Sequence, residues 1–151
     1  WIMSIARKGA EEAGRDPSVL KPIVCAPAYV SDDMAKAREQ VRWFPAMVSN
    51  HVMDLLNRYD ESELPPALFE YVKRREFYDY KDHSRVGAAH GEFVDDETCE
   101  RFCILGTPEQ HVEKLKQLEA VGVDQWNVYL RTHGQERTLD LYGEHVIPAF
   151  G

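Results

Sequence analysis

The chain has 151 residues, 44% of them hydrophobic, and its 18 basic and 26 acidic side chains leave a formal net charge of −8. That length suffices for one domain with a real core, and the acidic balance excludes nucleic acid or an anionic membrane surface as the main partner. No apolar run reaches the roughly 18 residues that a membrane helix needs, and no signal peptide is visible.

Trp stands at position 1, and residues 1–6 already read as the inside of a helix. The expectation is a piece of a longer chain that lacks its N-terminal part. Residues 1–14 predict an amphipathic helix with Ile2, Ile5, Ala6 and Ala13 on one stripe, ended by Gly14. Pro22–Val30, PIVCAPAYV, is an apolar run of strand length, and Pro27 predicts an irregular or rim position at its C-terminal end. Ser31 or Asp32 is the expected cap of the next helix, which Pro45 should break or kink. Val41, Phe44, Val48, Val52 and Leu55 keep helical phase across that break.

Glu61–Pro66 reads as a turn and Ala67–Arg75 as a short helix. Phe77–Val94 is the least regular stretch. Asp95 or Asp96 caps a short helix through Cys103. Thr107-Pro108-Glu109-Gln110 then carries the marks of a helix start: a candidate N-cap, Pro at the first helical position, and Gln placed to close a capping box. Val112, Leu115 and Leu118 recur on one face, and Gly122 supplies a left-handed stop. Val123–Leu130 follows as a second strand, dense enough in apolar residues to predict burial on both faces. Arg131–Gln135 is a loop. Arg137–Phe150 is a terminal amphipathic helix with Leu139, Tyr142, Val146, Ile147 and Phe150 on one face.

Two buried strands, each followed by a helix, indicate a parallel α/β sheet with a right-handed crossover. Two strands alone would leave edges unpaired and faces poorly covered, so further strands are expected outside this chain.

These segments resemble the luciferase-like monooxygenase superfamily. The match rests on EEAGRDPSVL before the first strand, SDDMAKARE after it, RFCILGTPEQHVEKLKQLEAVGVDQWNVYL, and the closing EHVIPAF. Within the superfamily they are most similar to the oxidoreductases that use the deazaflavin coenzyme F420. The resemblance implies the C-terminal part of a (β/α)8 TIM barrel, with 22–30 and 123–130 as its last two strands, all of 1–151 forming one unit. It also implies a cofactor, F420 or alternatively FMN, a small-molecule substrate, and the rest of the barrel as structural partner; a homo-oligomer stays open. Most of the ring pocket would then lie on earlier strands, and the piece alone is expected to be inactive. A non-catalytic flavin-binding or structural relative on the same fold is the alternative of a different class.

In such barrels the active face lies at the C-terminal ends of the strands, where late loops often bind phosphate. That places Ala28–Asp33 and Arg131–Gln135 at the active face. Arg131, Thr132 and His133 read either as an anion-binding loop or as a charged loop tip. The excursion 60–95 is a possible active-site lid, because long irregular loops in compact domains are usually functional. Tyr78, Tyr80, Lys81, His83 and His90 are its candidate substrate contacts; the bland reading is a polar surface loop. No catalytic residue can be named. No metal is expected: His83 and His90 lack ligand spacing, and Cys99 and Cys103, four apart, have no partner pair and read as small buried thiols. Three cysteines without a secretion signal fit a reducing cytoplasm.

Overall fold

A computed structural model describes residues 1–151. Helix α1 (Ile2–Glu12) leads through Gly14, in the left-handed region at φ 67°, to a short 3-10 turn capped by Asp16. The first apolar run forms two strands, β1 (Ile23–Ala26) and β2 (Ala28–Val30), divided at Pro27, which cannot donate to a ladder. Next come α2 (Met34–Val41) and α3 (Trp43–Leu56). They part at Arg42, three residues before Pro45, whose missing N–H removes a helical bond. The cap of α2 is Asp33 rather than Ser31 or Asp32. Its carboxylate accepts from the Lys36 N–H at 3.0 Å, while Ser31 Oγ accepts from the Asp33 N–H.

The excursion holds one α-turn, α4 (Pro66–Phe69), and otherwise 3-10 turns. It is followed by α5 (Asp96–Phe102), β3 (Ile104–Gly106), α6 (Pro108–Ala120), β4 (Gln125–Val128) and α7 (Gln135–Leu141). Strand β3 was not expected; the sequence pattern there shows a helix to Cys103 and nothing further before Thr107. β1 pairs in parallel with β4, Ile23 beside Gln125 through Ala26 beside Val128. β2 pairs in parallel with β3, Ala28 beside Ile104 through Val30 beside Gly106. The two predicted strands are therefore parallel neighbours, and the C-terminal half of the first takes β3 as a second partner.

Two cores hold the elements. The larger joins α2, α3, α5 and the excursion around Val41, Trp43, Val52, Phe69, Tyr71 and Cys99. The smaller lies between β2, β3 and the last helices: Ala28, Val30, Ile104, Tyr142 and Val146, with Val112, Leu115, Leu118 and Val128 packed on it. Arg38 and Arg42 tie α2 to α5 through Asp96 and Glu100, and Arg42 also donates to the Val94 carbonyl. Cys99 and Cys103 are buried free thiols, and burial raises both pKa values, that of Cys99 to about 11. Cys25 is exposed.

Three expectations of burial are corrected. β4 is not covered on both sides: Trp126 and Val128 are half-buried, but Gln125 and Asn127 are exposed, as are Ile23 and Cys25 beside them. Alternate residues of a strand share a face, so one whole face of the β1–β4 pair is open. On α1 only Ala10 is buried, and Ile2 and Ile5 stand exposed. The terminal segment is not one helix. It passes into a π turn at Tyr142–Val146 and a 3-10 turn at Ile147–Phe150. Tyr142 and Val146 reach the core, whereas Leu139, Ile147 and Phe150 do not.

The start of α6 shows how local chemistry fixes an element. The Thr107 N–H donates to Gln110 Oε1 at 2.8 Å, closing the capping box, and the Thr107 hydroxyl donates to Glu109 Oε2 at 2.6 Å. Gly106 permits it. Its φ is +120°, and a Cβ there would stand 2.2 Å from Gln110 Oε1 and 2.9 Å from Cδ. Gly106→Ala should cost about 1–3 kcal/mol in urea unfolding, through the strained backbone and the displaced Gln110. A loss below about 0.5 kcal/mol would show that neither constraint holds.

Candidate functional site

The C-terminal ends of β2 and β3 open into a cavity of about 710 Å³. Tyr29 and Val30 at the end of β2, with Ser31 and Asp32 just after it, form one wall, and Thr107 and Pro108 the wall that follows β3. His133, Gly134, Arg137, Thr138 and Leu141 close it from the segment after β4, and Lys36 and Gln40 from α2. Each strand end delivers the start of a helix. α6 is long enough for the N–H groups of its first turn to favour negative charge at this rim.

The charges sharpen that bias. Most basic side chains near the cavity are already engaged: Arg38 and Arg42 with carboxylates, Arg131 with Ser84 Oγ at 3.1 Å. Lys36 and Arg137 are exposed, and neither has a carboxylate partner. In a chain with eight more acidic than basic groups, two cations without carboxylate partners line this one cavity. Asp32 on the same lining adds an acceptor for a hydroxyl or amine. The loop at His133 is fixed, its backbone N–H donating to Gln40 Oε1 at 2.8 Å.

Beneath the cavity lies a fully buried imidazole, His111. Its Nδ1 is 2.9 Å from the Tyr142 hydroxyl and its Nε2 is 3.3 Å from the Tyr29 carbonyl oxygen. A carbonyl can only accept, so Nε2 carries the proton and Nδ1 accepts from Tyr142. Burial lowers the His111 pKa to about 4, so the ring is neutral at physiological pH, and raises Tyr142 above the usual phenol range.

Of the anion-binding candidates in the last loop, His133 lines the cavity. Arg131 turns away to Ser84, and Thr132 is buried with its hydroxyl unpartnered. None of the five excursion candidates lines the cavity. Four of them meet one another instead. The Tyr78 hydroxyl is 2.8 Å from His83 Nδ1, the Tyr78 and His90 ring centroids are 4.2 Å apart, and Tyr80 stacks on His83 at 6.1 Å. His90 is buried with Nε2 unpartnered, and burial lowers its pKa. Lys81 stays outside, only its backbone N–H being used, by Asp79. The Ser84–Arg131 bond joins this cluster to the loop after β4. No group of three or more His, Cys, Asp or Glu stands close enough to hold a metal ion.

Lys36, Arg137 and His111 were missed from the sequence. Lys36 and Arg137 each lie in the first turn of a helix that follows a strand, one turn beyond the loop residues the barrel rule points to. His111 shares the stripe of Leu115 and Leu118 at 4–3 spacing, which marks it as inward-facing.

The model of one protein family, luciferase-like monooxygenase, matches residues 1–125. Among solved structures, an F420-dependent secondary alcohol dehydrogenase in complex with an F420–acetone adduct is similar at TM-score 0.65 and 21% identity, over 95% of this chain and 36% of that one. The coenzyme F420-dependent tetrahydromethanopterin reductase of Methanopyrus kandleri is similar at TM-score 0.59 and 23% identity, over 96% of this chain and 40% of that one. The fold is that of part of these TIM-barrel enzymes, and the chain spans well under half their length.

Proposed function

Because the chain belongs to the luciferase-like monooxygenase family, we propose that it forms part of an oxidoreductase that moves a hydride between coenzyme F420 and a small organic substrate. The observation that carries this reading is the pair of unpaired cations, Lys36 and Arg137, in a cavity where parallel strands end. Strand ends are where (β/α)8 enzymes hold ligands, often by a phosphate. The donors present, an ammonium, a guanidinium and the His133 imidazole, fit the phosphate of such a cofactor or an anionic substrate. When bound, the cofactor supplies the redox chemistry. The residues of this chain hold its charged end and fix its position, with Tyr29 and Val30 as the apolar wall that limits water.

The open face of β1–β4, with Ile23, Cys25, Gln125 and Asn127, supports a partner: further strands of the same barrel. The excursion is proposed as a lid whose Tyr78, Tyr80, His83 and His90 meet substrate; its link to the strand ends, Ser84–Arg131, supports this. The free thiols fit a reducing cytoplasm.

A second reading, an FMN-dependent monooxygenase, is favoured by the family's own description, and FMN too carries a phosphate. Titration of the protein with F420 and with FMN, followed by absorbance and fluorescence, separates the two. F420 binding more tightly supports the deazaflavin reading, and FMN binding more tightly supports the monooxygenase. Binding of neither defeats both.

A further inference from the structure

His111 has no part in the site as a ligand contact, yet three walls of the cavity meet on it. It sits one turn into α6, its N–H donating to the Thr107 carbonyl at 3.0 Å, and Thr107 and Pro108 line the cavity. Its Nε2–H donates to the carbonyl of Tyr29, itself a lining residue that leads directly into Val30, Ser31 and Asp32. Its Nδ1 accepts from Tyr142, which follows at once on the helix carrying Arg137, Thr138 and Leu141. At Tyr142 that helix widens into the π turn. A π turn adds a residue to one turn of helix and is frequent at functional sites.

We propose that His111 is the positioning residue of the anion cavity: one buried neutral imidazole ties the ends of β2, α6 and α7 together, so that Arg137 faces the same anion as Lys36. This rests on the anion reading given above and goes a step further, by naming what sets the distance between the two cations. A ring with one donor and one acceptor on opposite sides suits the task. It can hold a backbone carbonyl and a phenol at once, and a charged side chain in the same dry position would need a counter-ion. No charged group from any neighbouring element shifts His111; burial and the Tyr29 carbonyl act on it alone.

The test is inorganic phosphate binding by calorimetry to the whole chain and its variants. His111→Leu keeps bulk and loses both bonds, Tyr142→Phe keeps the ring and loses the hydroxyl that ties the last helix to His111, and His111→Gln keeps an amide donor and a carbonyl acceptor. The Leu and Phe variants should each bind phosphate about tenfold or more weakly, and Gln should recover most of that loss. Where His111→Leu fails to fold, as judged by circular dichroism, Tyr142→Phe carries the test. The decisive readout is coupling. In the Tyr142→Phe background, Arg137→Gln should add little further loss, because Arg137 is already out of place. A mere structural role would leave the full Arg137 effect intact in that background, and that result overturns the proposal. So does wild-type affinity in Tyr142→Phe. Absence of phosphate binding by the wild-type chain defeats the anion reading itself, and the positioning role with it.

Discussion

Arg137→Gln should weaken binding of inorganic phosphate by one to two orders of magnitude while leaving the unfolding midpoint nearly unchanged. The magnitude follows from the loss of charge-assisted hydrogen bonds, each about 1.5–3 kcal/mol. The unchanged stability follows because Arg137 is exposed and has no partner in the fold to lose. Lys36→Gln should act in the same direction with a smaller effect, since an ammonium offers a point charge where a guanidinium offers a fork. Calorimetric titration at low ionic strength measures both. Arg137→Gln with wild-type affinity would mean that the two cations are solvated bystanders.

Acidification should destabilise the fold well before the carboxylates titrate, and His111 should be the main cause. Its folded pKa is lowered to about 4 from the 6.5 of a free imidazole. Between those values the unfolded chain binds more protons than the folded one, so stability rises with pH. The contribution is complete above about pH 6.5 and is lost as the pH falls towards 4, a change on the order of 3 kcal/mol. His90, also lowered by burial, adds in the same direction. Asp95, held near 2 by Thr98 and Arg74, contributes only at lower pH. Urea unfolding from pH 7 to 4.5 should therefore show a steep loss in the wild type and a much shallower one in His111→Gln. Equal slopes would place the titrating group elsewhere.

What could be read from the sequence was what local chemistry decides. Thr107-Pro108-Glu109-Gln110 starts a helix by its own hydrogen bonds, Gly122 ends it, and Pro45 interrupts another; none needs a distant partner. The two long apolar runs announced parallel strands because β-formers at that density, each run followed by a helix start, suit a sheet of βα units. β3 was hidden because Ile104–Gly106 is too short to show a period and follows α5 with no turn signal between them. The terminal helix was expected to run to Phe150, but the tertiary bond from Tyr142 to His111 lies where it changes to a π turn. Burial on both faces of β4 was expected from its composition, whereas exposure depends on what lies against it, and nothing in this chain covers Gln125 and Asn127. The rule that strand ends bear the site pointed to loops of which Ser31, Asp32, His133 and Gly134 line the cavity, and stopped one helical turn short of Lys36 and Arg137. Tyr78, Tyr80, His83 and His90 pack against one another, and none of the four lines the cavity.

The role proposed for this cavity is to hold the charged end of a flavin-type cofactor. The most direct measurement compares the dissociation constant of F420 with that of its phosphate-free deazariboflavin counterpart, on wild type and on Arg137→Gln. The phosphate-bearing form should bind wild type at least about tenfold more tightly, and this advantage should largely disappear in Arg137→Gln. Equal affinity of the two forms for the wild-type chain, or an advantage that survives the substitution, would contradict it.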